Sequence, residues 1–349
     1  MKHIIKDFKP ESGHHCITTS YKQVLHYYGV AISEEMLFGL GAALNFFYGD
    51  FKTFPYPMIG GRINIGKYEE YLADNSMINI EIHETTSIKK ARFELYSLIA
   101  NNIPVPIYVD MAFLDYLKLP EDAHFGGHTV VIFGIDEEEG VAYLSDRDGA
   151  NHKISNISGV IPRDFHKLPL EQLEKARNSA FKPYPPKNKW ITFDLSQYEG
   201  ITNEAIIKAL ARNADLMINA PTKNLGLKGI NTFSDKVRKW SEYPEEKLKG
   251  AVFNSYIMID QTGGTGGGAF RRMYGSFLIE AAELTGYKGL KEVGKRYIAV
   301  SLEWDKVAQL FLEIFTTENR DLFKEVSSRL KGIHNKEVAI WENISQIAN

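Results

Sequence analysis

The chain contains a single cysteine, in the stretch Gly13-His14-His15-Cys16-Ile17-Thr18-Thr19-Ser20. Small and polar residues precede it, and a helical pattern follows it. A helix N-terminus carries partial positive charge, which favours thiolate over thiol. A cysteine nucleophile also needs a base within hydrogen-bond reach and a third group to hold that base. His14, His15, His124 and His128 are the candidate bases. His128 is the strongest, because it opens the apolar run His128-Thr129-Val130-Val131-Ile132 after the flexible Gly126-Gly127. Asp146 follows His128 by 18 residues, enough for one strand, a turn and a return strand. That hairpin can set the Asp146 carboxylate beside the His128 ring, where it would fix the tautomer. Asp148 is the alternative orienting acid, although Asp148-Gly149 also reads as turn chemistry.

The elements that must position these groups can be read from periodicity. Val24, Leu25 and Tyr28 continue the helix begun near Cys16, and Gly29 ends it as a C′ residue. Residues 37–66, rich in glycine and aromatics, read as a long irregular segment. Residues 88–100 read as a helix. Residues 104–109, 129–135 and 141–144 read as strands, with the acidic stretch 136–140 as a hairpin tip and 151–154 as a further strand. The Pro-rich stretch 183–189 is the linker candidate, followed by a strand at 190–193. Beyond residue 200 the pattern is helical, over 203–218, 234–240, 245–259, 270–284, 304–315 and 321–333. Phe277, Ala281 and Leu284 form an apolar stripe, as do Val307, Leu310, Phe311 and Ile314, and both read as core.

A length of 349 residues favours two domains over one core. The composition, 44% hydrophobic and 24% charged, is that of an ordinary globular protein. A formal net charge of −3 gives no basic field for nucleic acid. One cysteine excludes an intramolecular disulfide framework and suits a reducing compartment. The N-terminal residues lack the apolar core of a signal peptide, and no run approaches the roughly 18 apolar residues of a membrane span. A cytoplasmic protein is expected, with no membrane or nucleic-acid partner.

A resemblance enters at these motifs. Gly13-His14-His15-Cys16 opening a helix, with Gly127-His128-Thr129-Val130-Val131 and Ser145-Asp146-Arg147, resembles the papain-like fold of bacteriocin-processing cysteine peptidases. More closely, it resembles the N-terminal domain of the butirosin biosynthesis protein H family. Leu37-Phe38-Gly39-Leu40-Gly41, Gly61-Arg62 and Pro104-Val105-Pro106-Ile107-Tyr108-Val109-Asp110 extend the likeness. The glycine-rich stretch Gly263-Gly264-Thr265-Gly266-Gly267-Gly268-Ala269-Phe270-Arg271-Arg272 resembles the helical domain that usually follows it. The resemblance implies an α+β chain, with a papain-like catalytic domain over 1–195 and a mostly α-helical domain over 196–349. It implies Cys16 as nucleophile, His128 as base and Asp146 as orienting acid. It also implies an acyltransferase that takes an aminoacyl chain from the phosphopantetheine thioester of an acyl carrier protein and passes it to an amine acceptor. The family's namesake acts on an aminoglycoside. One departure is visible. Papain-like peptidases place a glutamine shortly before the cysteine to complete the oxyanion hole, and residues 7–12 contain none. The oxyanion would rest on the Cys16 backbone N–H and a second donor, His15 or His14.

The glycine-rich loop has two readings. It is a tight helix–helix turn, or its N–H groups and Arg271 and Arg272 meet the phosphopantetheine arm or the acceptor. It is not a Walker A loop, since no Gly-Lys-Ser/Thr follows, and no acid at the right distance supports a dinucleotide site. His15, Arg62, Asp110, Gly266 and Arg271 are therefore the substrate-contact candidates. His124 and His128 flank two glycines, which argue against the helix that would turn both rings to one metal, so no metal is expected. Lys89-Lys90 and Lys247 with Lys249 read as solvated faces. The aromatic segment 46–56 is the candidate lid that keeps water from an acyl-enzyme. Beside acyl transfer stand two other expectations: a cysteine peptidase or amidohydrolase with the same triad, and a non-catalytic carrier-protein or ligand-binding module with an inert Cys16.

Overall fold

The computed structural model describes residues 1–52, 54–64, 66–148 and 164–348. In chain order its elements are β1 (Lys2–Ile4), α1 (Cys16–Tyr27), α2 (Glu34–Leu40), β2 (Leu44–Gly49), β3 (Met58–Arg62), α3 (Lys67–Ser76), β4 (Asn79–His83), α4 (Ile88–Ala100), β5 (Val105–Val109), β6 (His128–Asp136), β7 (Val141–Ser145), β8 (His166–Pro169), α5 (Leu170–Asn178), β9 (Trp190–Asp194), α6 (Asn203–Ile218), α7 (Gly226–Lys236), α8 (Glu245–Ile259), α9 (Arg271–Thr285), α10 (Lys288–Thr317) and α11 (Phe323–Ala348). The protein is α+β. The strand expected at 151–154 lies outside the described residues.

The chain divides into two compact units, one of Met1–Glu34 with Ile78–Gln197 and one of Glu35–Met77 with Tyr198–Asn349. A simple cut after residue 195 therefore misplaces residues 35–77. The β2–β3 hairpin packs on α7 and α8, and α3 packs on α6, so this insertion is built into the helical unit. Nor is 183–189 a linker. The N–H of Asn188 donates to Arg177 at 2.8 Å and Tyr108 N–H to Lys189 at 3.2 Å, which ties the stretch into the first unit beside β9.

Among the described residues the first unit holds an antiparallel seven-stranded sheet, ordered β4-β9-β5-β6-β7-β8, with β1 also paired to β6. All nine residues of β6 are buried. Such a continuous apolar run belongs to a strand covered on both faces. α1 and α4 pack on β6, and Val24, Leu95, Ile99, Val130 and Ile132 meet in the core. Each such aliphatic side chain contributes about 1.5–3 kcal/mol on burial. α1 begins at Cys16 because His15 is still extended, with φ −113° and ψ 127°. It ends where Gly29 takes φ +85°.

The second unit surrounds the 30-residue α10, against which α8, α9 and α11 pack. α10 and α11 run well beyond the expected 304–315 and 321–333, because their flanking turns remain helical though less apolar. α7 starts at Gly226, ahead of the expected 234, where φ +57° and a close Met217 carbonyl suit a glycine. The stripe on α9 is shorter than expected: Phe277 and Ala281 are buried, but Leu284 is 55% exposed. The segment read as irregular contains α2, β2 and β3. Its alternation was masked because both faces carry aromatics: Phe46 and Tyr48 are buried beside Phe233, while Phe47 stacks on Phe51. Phe46 and Tyr48 are thus core residues of the helical unit. Among the described residues no helix is long and apolar enough to cross a membrane.

Candidate active site

Cys16 is the first residue of α1 and is partly exposed. His128 is the first residue of β6, and Asp146 directly follows β7. Val131 faces Ser145 across these strands. Continuing that register puts Val130 opposite Asp146 and His128 two residues away on the same face, the diagonal arrangement that long side chains can span. His128 Nε2 lies 2.8 Å from Asp146 Oδ2. Asp146 leaves the other ring nitrogen, Nδ1, open, and His128 lies close enough to the Cys16 thiol for each to shift the other's ionisation. Cys16, His128 and Asp146 therefore form one chain of interacting groups.

The electrostatics favour the charged forms. Burial pushes the Cys16 thiol up, but the interaction with His128 and its charge, with the Thr129 N–H, bring it down to about 7. For His128, burial favours the neutral ring. The Asp146 carboxylate, by charge and hydrogen bond, outweighs this with help from Cys16 and raises it to about 10. Burial would raise the Asp146 pKa, but the His128 charge and hydrogen bond, with donors from Tyr116 and the Arg147 N–H, hold it below the usual carboxylate range. Near pH 8 the chain is thiolate, imidazolium and carboxylate, the form that attacks a carbonyl. Of the two candidate acids, Asp146 meets His128, whereas Asp148 meets His166 at 2.8 Å.

Several bonds hold this geometry. Ser145 donates its hydroxyl to Gln23 Oε1 at 2.6 Å, locking α1 to the end of β7. Gly13 N–H donates to the Arg147 carbonyl at 3.0 Å, and Arg147 Nη1 to the His14 carbonyl at 2.9 Å. The residues before Cys16 and after Asp146 are thus stitched together. Glu34, which no motif marks, is buried and accepts four donors: the His14 N–H (2.8 Å), the His15 N–H (3.2 Å) and the Thr18 (2.9 Å) and Thr19 (2.7 Å) hydroxyls. The amides of His14 and His15 therefore point at Glu34. The Cys16 N–H is among the opening amides of α1 that have no intrahelical acceptor, the kind of donor an oxyanion needs. The His15 ring is buried, with Nδ1 3.3 Å from the Thr18 hydroxyl.

The remaining candidates fall elsewhere. Asp110 is buried and saturated by protein donors: His124 Nδ1 (2.9 Å), the Phe125 N–H (2.9 Å), the Ala112 N–H (3.3 Å) and the Ser179 hydroxyl (2.6 Å). It anchors the loop that leads into His128. His124 therefore serves Asp110 and stacks on Phe181, with centroids 3.3 Å apart. Arg62, Gly266 and Arg271 belong to the second unit. Arg62 reaches the Ile63 carbonyl at 3.2 Å. Gly266 has φ +65° in a run of left-handed glycines, and a Cβ on nearby Gly268 would lie 2.5 Å from Ser301 Cβ, so this loop is a tight turn. The Arg271 guanidinium is fully buried and spans Glu337, with Nε 3.0 Å from Oε1 and Nη2 3.2 Å from Oε2; Arg272 pairs with Asp305. The two cations that the sequence offered to a phosphate are held by internal carboxylates.

Two family models match the chain. Residues 15–147 match the family described as butirosin biosynthesis protein H, N-terminal. Residues 171–344 match the family described as domain of unknown function (DUF4872), which begins in α5 of the first unit rather than at the junction after Gln197. Among curated proteins none matches the chain. The first match spans Cys16, His128 and Asp146, and the pair of matches runs in the order expected of a two-domain relative. The chain belongs to the butirosin biosynthesis protein H family, with the domain of unknown function following its N-terminal domain.

Proposed function

We propose that this chain is a cysteine acyltransferase with a papain-like N-terminal domain, acting in the cytoplasm in secondary-metabolite, aminoglycoside-like antibiotic biosynthesis. The observation that carries the reading is the chain of interacting groups Cys16–His128–Asp146, with the thiol brought to about 7 at the start of α1. The family match supports the direction of the chemistry. The Cys16 thiolate attacks the carbonyl of a carrier-protein phosphopantetheine thioester. A carbon–sulfur bond forms at Cys16, and the pantetheine sulfur leaves with the His128 proton. Exchange of one thioester for another is close to thermoneutral, so the acyl-enzyme can accumulate. An amine then attacks acyl-Cys16, its proton passes to neutral His128, and the Cys16 thiolate leaves to restore the ion pair. Asp146 holds the ring through both steps and stabilises its charged form.

The test uses an aminoacyl-pantetheine thioester and intact mass spectrometry. Wild type is expected to gain the acyl mass at Cys16 and to lose it faster when an amine is added, with amide as the product. Absence of an adduct across a panel of thioesters would overturn the reading. Equal loss to water in the presence of amine would make the chain a hydrolase.

A further inference from the structure

A second His–Asp pair stands behind the first. His166 and Asp148 are both buried, and His166 Nε2 lies 2.8 Å from Asp148 Oδ2. His166 faces Leu144 across β7 and β8. Alternation along β7 then puts it on the face that Asp146 shares, two residues beyond Leu144. Tyr116 joins the two pairs. Its ring lies flat on His166, with centroids 3.8 Å apart and planes at 12°. Its hydroxyl donates to Asp146 Oδ2 at 2.8 Å, the oxygen that also receives His128 Nε2. The other oxygen, Oδ1, takes the Arg147 N–H at 2.7 Å. Both carboxylate oxygens are therefore held, and rotation about χ2 of Asp146 is blocked.

We propose that Tyr116 is a positioning residue of the triad, anchored by the His166–Asp148 pair, and that it aims Asp146 so that His128 presents Nδ1 to Cys16. This rests on the triad reading above. Among the described residues the groups facing Asp146 are His128 from β6, Tyr116 from the turn Asp115–Leu117, and the Arg147 N–H on its own loop; Asp148 acts on the phenol from behind, and the Arg147 guanidinium is turned to the His14 carbonyl. Burial, the charge and hydrogen bond of Asp146 and the charge of Asp148 keep the phenol protonated far above neutral pH. Tyr116 can therefore act toward Asp146 only as a donor. Without it, Asp146 keeps its charge but loses the bond that fixes Oδ2. His128 then loses a fixed partner, and the thiolate loses part of its ion pair.

The experiment measures the rate of Cys16 alkylation by iodoacetamide against pH on the full chain, read by intact mass. Wild type is expected to titrate near 7. Tyr116→Phe keeps the ring on His166 and removes only the hydroxyl. Its midpoint is expected to rise by about half to one unit, with a rate at pH 6 lower by about three- to tenfold, since thiolate falls tenfold per unit below the midpoint. Asp148→Asn leaves the phenol but weakens its anchor, and should move the midpoint the same way by less. Profiles of both variants that superimpose on wild type, or move downward, overturn the proposal while leaving the triad standing. A wild-type midpoint near the roughly 8.5 of a free thiol would overturn the triad itself, and this proposal with it.

Discussion

The buried carboxylate of Glu34 accepts the backbone N–H of His15 at 3.2 Å, one residue before Cys16. Glu34 does more than close a loop. It takes two consecutive amides ahead of α1 and two hydroxyls from its first turn, so the conformation that presents Cys16 hangs on one side chain. Glu34→Ala would leave these donors unsatisfied in a buried site. It is expected to lower stability by about 2–4 kcal/mol. Glu34→Gln, which keeps an accepting oxygen, should cost less. Urea titrations of both variants check the order.

Gly13 lies against the same carboxylate. A Cβ there would sit 2.1 Å from Thr19 Oγ1 and 2.3 Å from Glu34 Oε2. Gly13→Ala must push the Thr19 and Glu34 side chains apart, at an expected cost of about 1–3 kcal/mol. The same displacement should slow alkylation of Cys16 at neutral pH. A variant that matches wild type in both urea midpoint and alkylation rate would show that the close approach is not needed.

The ionisations predict how stability depends on pH. His128 is raised from 6.5 to about 10 in the folded state. Its contribution is fully present below pH 6.5 and is lost as pH rises through 10. Cys16 is lowered from 9.0 to about 7. Its contribution is present above pH 9 and is lost as pH falls through 7. The stability difference between wild type and Cys16→Ala should therefore shift in favour of wild type from pH 6 to pH 9. The His128 loss runs from pH 6.5 to 10 and the Cys16 gain is complete by pH 9. Wild type should therefore itself weaken from pH 9 to pH 10, and these two groups add no further loss above it. Chemical unfolding at a series of pH values checks both signs.

In the helical unit the buried Arg271–Glu337 pair is closed by Tyr297 (3.0 Å) and Trp304 Nε1 (2.7 Å), both donating to Glu337. Glu337→Ala would strand a buried guanidinium and is expected to cost about 3–5 kcal/mol. Replacing both members with methionine should recover much of that loss, because no charge is then left unpaired. A double-mutant cycle read by urea unfolding measures the coupling.

Much of the candidate site is legible without coordinates. Cys16, with its small and polar neighbours, announces a helix start. The 18-residue step from His128 to Asp146 matches one hairpin, and strand alternation then puts both side chains on one face. The long apolar or amphipathic segments, such as 203–218 and 245–259, are legible for the same reason: their period is a local property of the chain. Residues 37–66 are not, because aromatics on both faces of β2 erase the alternation that marks a strand.

What the sequence by itself determined is the set of reactive groups and the local elements that carry them. Spacing and periodicity depend on nearby residues, and these are written in order along the chain. Only the tertiary structure decided which charges meet. Glu34 holds the two residues ahead of Cys16, Tyr116 reaches Asp146, and Asp148 takes His166 rather than His128. It also turned Arg271 inward to Glu337 and gave Asp110 to the loop before His128. These pairings follow from burial: a charge or polar group removed from water must find a partner within hydrogen-bond reach, and packing rather than sequence separation sets which one is near.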